Sequence, residues 1–189
     1  MDDARERLRV QRSRSVERSV MSHAVRVSDS ATQWSIPDPA EFALRIPLRA
    51  VRMVAPQGFG YLGRALSAAE QVAAVFAVAR PGLYRLVCSP GHYVIAPFAA
   101  AAELGLLGEE AVAAYGHNGS AVEAIGTERS AVLDYTCGSL GQGLSARVAF
   151  ALSDRMRASD AQVFAMVSDG ETTAALVDPS TSLGRSRAT

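Results

Sequence analysis

Lysine is absent from the 189-residue chain; all 19 basic residues are arginine. That removes the lysines that serve elsewhere as Schiff-base nucleophiles or general bases, and with them several enzyme classes. Cysteine is scarce. Cys88 and Cys137 stand far apart with no metal-ligand spacing around them, which argues against a disulfide framework or a thiolate zinc site and makes a reducing cytoplasm the expected compartment. No apolar run reaches the ~18 residues of a membrane-spanning helix. The opening Met1-Asp2-Asp3-Ala4-Arg5 stretch lacks the apolar segment of a secretory signal. A net charge is missing as well: 19 acidic residues balance the arginines, so no overall field draws the chain to nucleic acid or to an anionic membrane.

What is present is an ordinary globular composition, 49% hydrophobic, long enough for one domain with a sizeable core. Residues 1–38 are rich in Arg, Ser and Asp and poor in large apolar side chains. They read as a mobile extension, because so little apolar surface cannot offset the entropy of ordering. The arginines at 5, 7, 9, 12 and 14 are diluted by Asp2, Asp3, Glu6 and Glu17, which makes a solvated tail the expectation. Residues 39–176 carry the domain, and residues 177–189 form a polar tail.

Within the domain the pattern alternates. Ser67-Ala68-Ala69-Glu70 has the form of a capping box, so a helix is expected from there to Val78. After the Arg80-Pro81-Gly82 break, Leu83 to Cys88 reads as a short buried strand. An Ala-rich segment from Tyr93 to Leu104 suits a buried helix stopped by Gly105, and Glu109 to Tyr115 suits another closed by Gly116. Ala131 to Tyr135 reads as a strand, Gly138 to Gly143 as a loop, and Leu144 to about Arg157 as a helix. In that helix Leu144, Val148, Leu152 and Met156 make one apolar stripe, assigned to the core. Ala161 to Val167 is a further buried strand. Strands alternating with helices predict an α/β domain on a mostly parallel sheet.

Ligands collect at the carboxyl ends of strands in such sheets, and two candidate loops fall there. Gly138-Ser139-Leu140-Gly141-Gln142-Gly143 has three glycines ahead of a helix, so its backbone can approach a ligand closely; by itself it is also compatible with a plain strand-to-helix turn. Asp169-Gly170 follows an apolar strand and offers a hard oxygen of the kind Mg²⁺ prefers, although Asp-Gly is equally a common turn. His92 lies in the turn after a strand, where an imidazole can face a cleft or simply complete the turn. His117 at a helix end suits a dipole partner.

In order along the chain these segments resemble the transketolase family. Gly60-Tyr61-Leu62-Gly63-Arg64-Ala65-Leu66-Ser67-Ala68-Ala69-Glu70 is similar to its GHPGGSLSAAE-type segment, Ser89-Pro90-Gly91-His92 to its S-K/N-G-H, and Asn118-Gly119-Ser120 to its N-G-S. Thr136 to Ser145 is close to T-G-S-L-G-Q-G-L-S, and Ser168-Asp169-Gly170-Glu171 stands where the family has G-D-G-E. The resemblance implies a three-layer α/β/α fold, incomplete at its C-terminus, that binds thiamine diphosphate through Mg²⁺ and transfers a two-carbon ketol unit between sugar phosphates. By matched position, Asp169 would ligate the metal, Gly170 would approach the diphosphate, backbone atoms of Gly138 and Leu140 would meet the aminopyrimidine, and His92 would act at the reacting carbon.

The departures are specific. Tyr61 replaces the family's first histidine, Pro90 replaces its Lys or Asn, and Ile125-Gly126-Thr127 stands where a G-H-P segment is expected. On the resemblance, the Asn and backbone carbonyl that complete the family's Mg²⁺ shell are expected beyond the last residue given, and so is the pyrimidine-binding domain. The resemblance therefore implies a subunit or fragment that works with a pyrimidine-domain partner, as a split enzyme or within a homodimer. The alternative is a catalytically inactive remnant or interaction module on the same scaffold.

Overall fold

The computed structural model describes residues 34–36, 38–127, 129–136 and 138–173. Helix α1 (Pro39–Val54) opens on Asp38, whose carboxylate accepts from the N–H groups of Ala40 at 2.9 Å and Glu41 at 3.2 Å, with Pro39 in the first turn where a missing N–H costs nothing. Its buried face is Phe42, Ala43, Ile46, Ala50 and Met53. Helix α2 (Leu62–Val78) buries Ala65, Ala68, Ala69, Val72, Ala73 and Phe76. That stripe begins before Ser67, so the helix starts earlier than the capping-box reading placed it. Ser67 is interior, and its hydroxyl donates back to the Arg64 carbonyl at 3.3 Å instead of capping.

Among the described residues the sheet has three strands in the order β2-β1-β3, all parallel: β1 (Tyr84–Cys88), β2 (Tyr135–Thr136) and β3 (Gln162–Met166). Cys88 is level with Thr136 on one side and Met166 on the other, so the three carboxyl ends lie side by side. Leu86, Cys88 and Met166 join the core built by α1, α2 and α3 (Ile95–Glu103), with the short α4 (Glu109–Ala113) following. Arg85, one residue out of phase, reaches helix α5 (Gln142–Met156) on the opposite face. The predicted α/β/α layering on a parallel sheet is thus the observed one.

Two further expectations are corrected. The strand expected over Ala131 to Tyr135 is confined to Tyr135–Thr136, because Val132 takes a left-handed backbone (φ 72°) that ends extended structure and Ala131 instead donates to the Ala121 carbonyl at 2.9 Å. The stripe Leu144, Val148, Leu152, Met156 is not core. Gly143 and Asp154 are the buried residues of α5, while Val148, Leu152 and Met156 are 37%, 42% and 87% exposed. Among the described residues α5 meets the sheet through the row that holds Gly143 and Asp154, and its most apolar row faces outward. A separate row of α5, with Gln142, Ala146, Ala149 and Phe150, lines an open groove together with Tyr135.

The core also takes in Trp34. Its ring packs edge-on against Phe76 and Tyr84 at 6.0 and 5.6 Å, and its indole N–H donates to the Phe76 carbonyl at 3.0 Å. Residues 1–33 of the arginine-rich extension and the tail at 177–189 lie outside the described residues. Among the described residues no helix is long and apolar enough to cross a membrane.

Candidate functional site

Three loops leave the sheet at the aligned strand ends: Ser89 to His92 after β1, Gly138 to Gly143 after β2, and Ser168 to Glu171 after β3. They are joined by one carboxylate. Glu171 is completely buried. Its Oε1 accepts from the Ser89 hydroxyl and from the Gly141 N–H at 2.9 Å, and its Oε2 accepts from the Ser168 N–H at 2.8 Å and hydroxyl at 3.1 Å. Ser89 Oγ in turn accepts from the Gly143 N–H at 3.1 Å. Burial alone would raise the Glu171 pKa. The hydrogen bonds from Gly141, Ser89 and Ser168 outweigh that penalty and hold it below the ordinary glutamate value.

The glycines make this approach possible. A Cβ on Gly143 would lie 2.3 Å from Ser89 Cβ and 2.7 Å from its Cα, so a side chain there would force α5 away from β1. Gly141 caps α5 in a left-handed conformation, φ 85°, that turns the loop into the helix.

His92 sits in a 3₁₀ turn (Gly91–Tyr93) and lines a cavity of about 320 Å³ with Tyr61, Arg64, Gly91, Ile125 and Gly138. Its ring centroid is 5.6 Å from that of Tyr61 and 5.0 Å from that of Tyr93. Burial, followed by the positive charge of Arg64, lowers the imidazole pKa, while Glu171 pulls weakly the other way. The ring is neutral at pH 7 and can accept a proton. Arg64 lies over the Tyr93 ring, 5.2 Å from its centroid, and donates to the Tyr93 hydroxyl at 3.3 Å. Both departures from the expected histidines fall on this cavity. Tyr61 forms one wall, and Ile125 forms another, held by the Gly126 N–H that donates to the Gly91 carbonyl at 2.9 Å.

The structure therefore brings His92 and Gly138 into one cavity. A Cβ on Gly138 would meet nothing within 4 Å, and the same holds for Gly170, so both backbones border open space. Leu140 is 47% exposed in the loop. Asp169 is exposed at the head of a 3₁₀ turn (Asp169–Thr173), its carbonyl accepting from the Thr172 hydroxyl at 2.6 Å. Asp169, Gly170 and Leu140 stand on these same strand-end loops but do not line the His92 cavity.

Among the described residues no group of three or more His, Cys, Asp or Glu could hold a metal ion. The Glu171 carboxylate, two residues beyond Asp169, is occupied by its hydrogen bonds, so among the described residues Asp169 offers a hard oxygen without companions and does not by itself make a Mg²⁺ shell. The open glycine backbones do fit the close approach of a diphosphate group. His117 instead pairs with Gln57 Oε1, at 3.0 Å, on the surface.

Ser89 and Glu171 lie inside the quoted motifs, which by themselves assign neither a role. A carboxylate directly after Asp169-Gly170, the one acid there with no metal position to fill, is the signal that could have marked Glu171. Arg64 could have been found as a charge standing where the resembled segment has glycine.

No protein-family profile matches the chain. It is 35% identical over 141 residues to the uncharacterized transketolase family protein y4mO of Sinorhizobium fredii (strain NBRC 101917 / NGR234). The match takes in 69% of this chain and 50% of that protein, so the chain spans about half the length of the curated relative it matches. On an all-parallel sheet whose glycine loop and Asp-Gly turn meet at the strand ends, the chain is thus similar to part of a transketolase family protein.

Proposed function

We propose that this chain is the diphosphate-side part of a transketolase-type enzyme, which moves a two-carbon ketol unit between sugar phosphates when a pyrimidine-domain chain completes the site. The observation that carries the reading is the convergence of the Ser89–His92, Gly138–Gly143 and Ser168–Glu171 loops at the carboxyl ends of three parallel strands. When bound, thiamine diphosphate would supply the carbanion chemistry. Gly138 and Leu140 would face its aminopyrimidine with backbone atoms, Gly170 would admit its diphosphate, and Asp169 would contribute one ligand to an accompanying Mg²⁺.

The chain's own share of the chemistry is modest. His92, neutral and facing the cavity, accepts or returns a proton at its imidazole, the kind of group whose removal costs about 10²–10⁴-fold. Arg64 gives the same cavity a positive charge for an anionic substrate. The outward apolar row of α5, Val148, Leu152 and Met156, is surface that a partner chain or a second copy would cover.

A second reading has its own observation. Tyr61 stands on the cavity where a histidine is expected, Gly126 stands at the second histidine position with only Ile125 beside it on the cavity wall, and among the described residues Asp169 has no second metal-binding side chain grouped with it, an arrangement that favours an inactive remnant kept as an interaction module. Calorimetric titration of thiamine diphosphate with Mg²⁺ separates the two. The split-enzyme reading expects weak or no binding by the isolated chain and clear binding, with two-carbon transfer, once a pyrimidine-domain chain is added. No binding by the reconstituted pair selects the remnant.

A further inference from the structure

We propose that Glu171 is a positioning residue, whose buried carboxylate locks the Gly138–Gly143 loop against the ends of β1 and β3 and so fixes where the loop's backbone faces the cavity. A buried carboxylate carries a large desolvation penalty and survives only when its lone pairs are filled. Here they are filled from separate loops: Gly141 N–H from the glycine loop, the Ser89 hydroxyl from β1, and both donors of Ser168 from β3. Ser89 extends the linkage by accepting from Gly143. Apart from this set, the loop has little to hold it. Ser139 and Leu140 are exposed, α5 has no side-chain cap at Gly141, and a Cβ on Gly138 would meet nothing within 4 Å.

The loop therefore takes its position from Glu171 and Ser89, not from packing of its own side chains. Because Ser168 and Glu171 flank Asp169-Gly170, the same carboxylate also sets the two strand-end loops relative to each other. That geometric coupling stands without any ligand. Its consequence for cofactor binding rests on the function proposed above.

Glu171→Gln tests it in the full chain. Glutamine keeps the volume, but its amide N–H₂ must oppose either the Ser168 donors or the Gly141 and Ser89 donors. Backbone amide exchange followed by NMR should show Gly141 and Gly143 exchanging on the order of tenfold to a hundredfold faster, with amides of α2 such as Val72 and Phe76 unchanged. Unchanged protection at Gly141 and Gly143, or a uniform loss of protection throughout the domain, overturns the positioning role.

Ser89→Ala keeps the proposal falsifiable if the Gln variant does not fold. It removes the acceptor of Gly143 and should speed exchange there more than at Gly141, which retains Glu171. Equal exchange at both overturns the linkage. With a pyrimidine-domain chain and thiamine diphosphate plus Mg²⁺ as the probe, Glu171→Gln should weaken binding about tenfold or more. If the parent pair binds no cofactor while local exchange still responds to Glu171→Gln, the functional reading fails and the positioning role stands.

Discussion

Arg85 on β1 grips Asp154 on α5 with two hydrogen bonds, Nε to Oδ2 at 3.0 Å and Nη2 to Oδ1 at 3.2 Å, and its remaining Nη1 reaches Asp134 Oδ1 at 3.1 Å. This fork is the main polar tie between the sheet and a helix whose apolar row points outward. The hydrogen bonds from Arg85 hold the Asp154 carboxyl below its ordinary range, outweighing burial, with Arg157 adding to the effect. A depressed folded-state pKa contributes stability above the unfolded pKa, and that contribution is lost as pH falls through the folded value. Asp154→Asn should therefore lower the melting temperature at pH 7 and lose that difference as the pH is taken below the ordinary aspartate range. A gap between variant and parent that persists unchanged into strong acid would show that the pair does not tie α5 to the sheet.

Trp34 is the only tryptophan in the chain, and its edge contacts with Phe76 and Tyr84 make it a reporter of the core. Its emission should be blue-shifted in the folded protein and move red on unfolding. Trp34→Ala should cost about 2–3 kcal/mol, below the range for a fully buried tryptophan because the ring is only partly covered. Urea titration followed by circular dichroism measures this, and a loss under about 0.5 kcal/mol, the usual surface value, would place Trp34 outside the cooperative unit.

Gly143→Ala and Gly138→Ala form a contrasting pair. The first drives a methyl into Ser89 backbone and side chain, so it should cost about 3 kcal/mol, at the upper end of overpacking. The second meets open space and should leave the thermal midpoint close to that of the parent. If Gly138 faces a cofactor, as proposed, its alanine variant should lose affinity in the reconstituted pair while folding normally.

The imidazole of His92 should titrate below 6.5, the usual histidine value, in an NMR pH series. Arg64→Met removes the second cause of that depression and leaves the first, burial, in place. The pKa should rise only part of the way back, and a variant whose His92 titrates as in the parent would show that Arg64 does not act on the ring.

Asp169→Ala, with Asp178→Ala as control, addresses the proposed metal position. In the reconstituted pair the first should abolish Mg²⁺-dependent binding of thiamine diphosphate with an unchanged circular dichroism spectrum, and the second should bind as the parent does. Equal affinity for all three proteins would reduce Ser168-Asp169-Gly170 to a turn.

What could be read in the sequence was what local chemistry dictates. The ends of α2 and α3, the strands around Leu86 and Phe164, and the glycine loop before α5 followed from periodicity, breakers and positive-φ glycines, because each is settled within a few residues. Ser67 is ambiguous because a capping box and an interior Ser-x-x-Glu are identical in sequence, and only the buried Ala65 two residues earlier tells them apart. The α5 stripe misled for a different reason: periodicity finds the apolar row but not what lies opposite, and the sheet meets the row of Gly143 and Asp154. At the site, His92 and Gly138 were legible by motif. Glu171 was not, since its role arises from partners at Ser89, 82 positions away, and at Gly141, 30 positions away.

The order of the strands also bears on how the chain folds as it is made. β1 occupies the middle of the sheet, yet both of its neighbours are synthesised after α4, β3 not until Gln162–Met166. Helices α1, α2 and α3, close in sequence and packed on one another, can collapse while the chain is still emerging, leaving Leu86 and Val87 on a strand with both edges unpaired. Until β3 arrives, that strand is the nascent protein's exposure to misassociation, and the rate at which the last third is translated sets how long the exposure lasts.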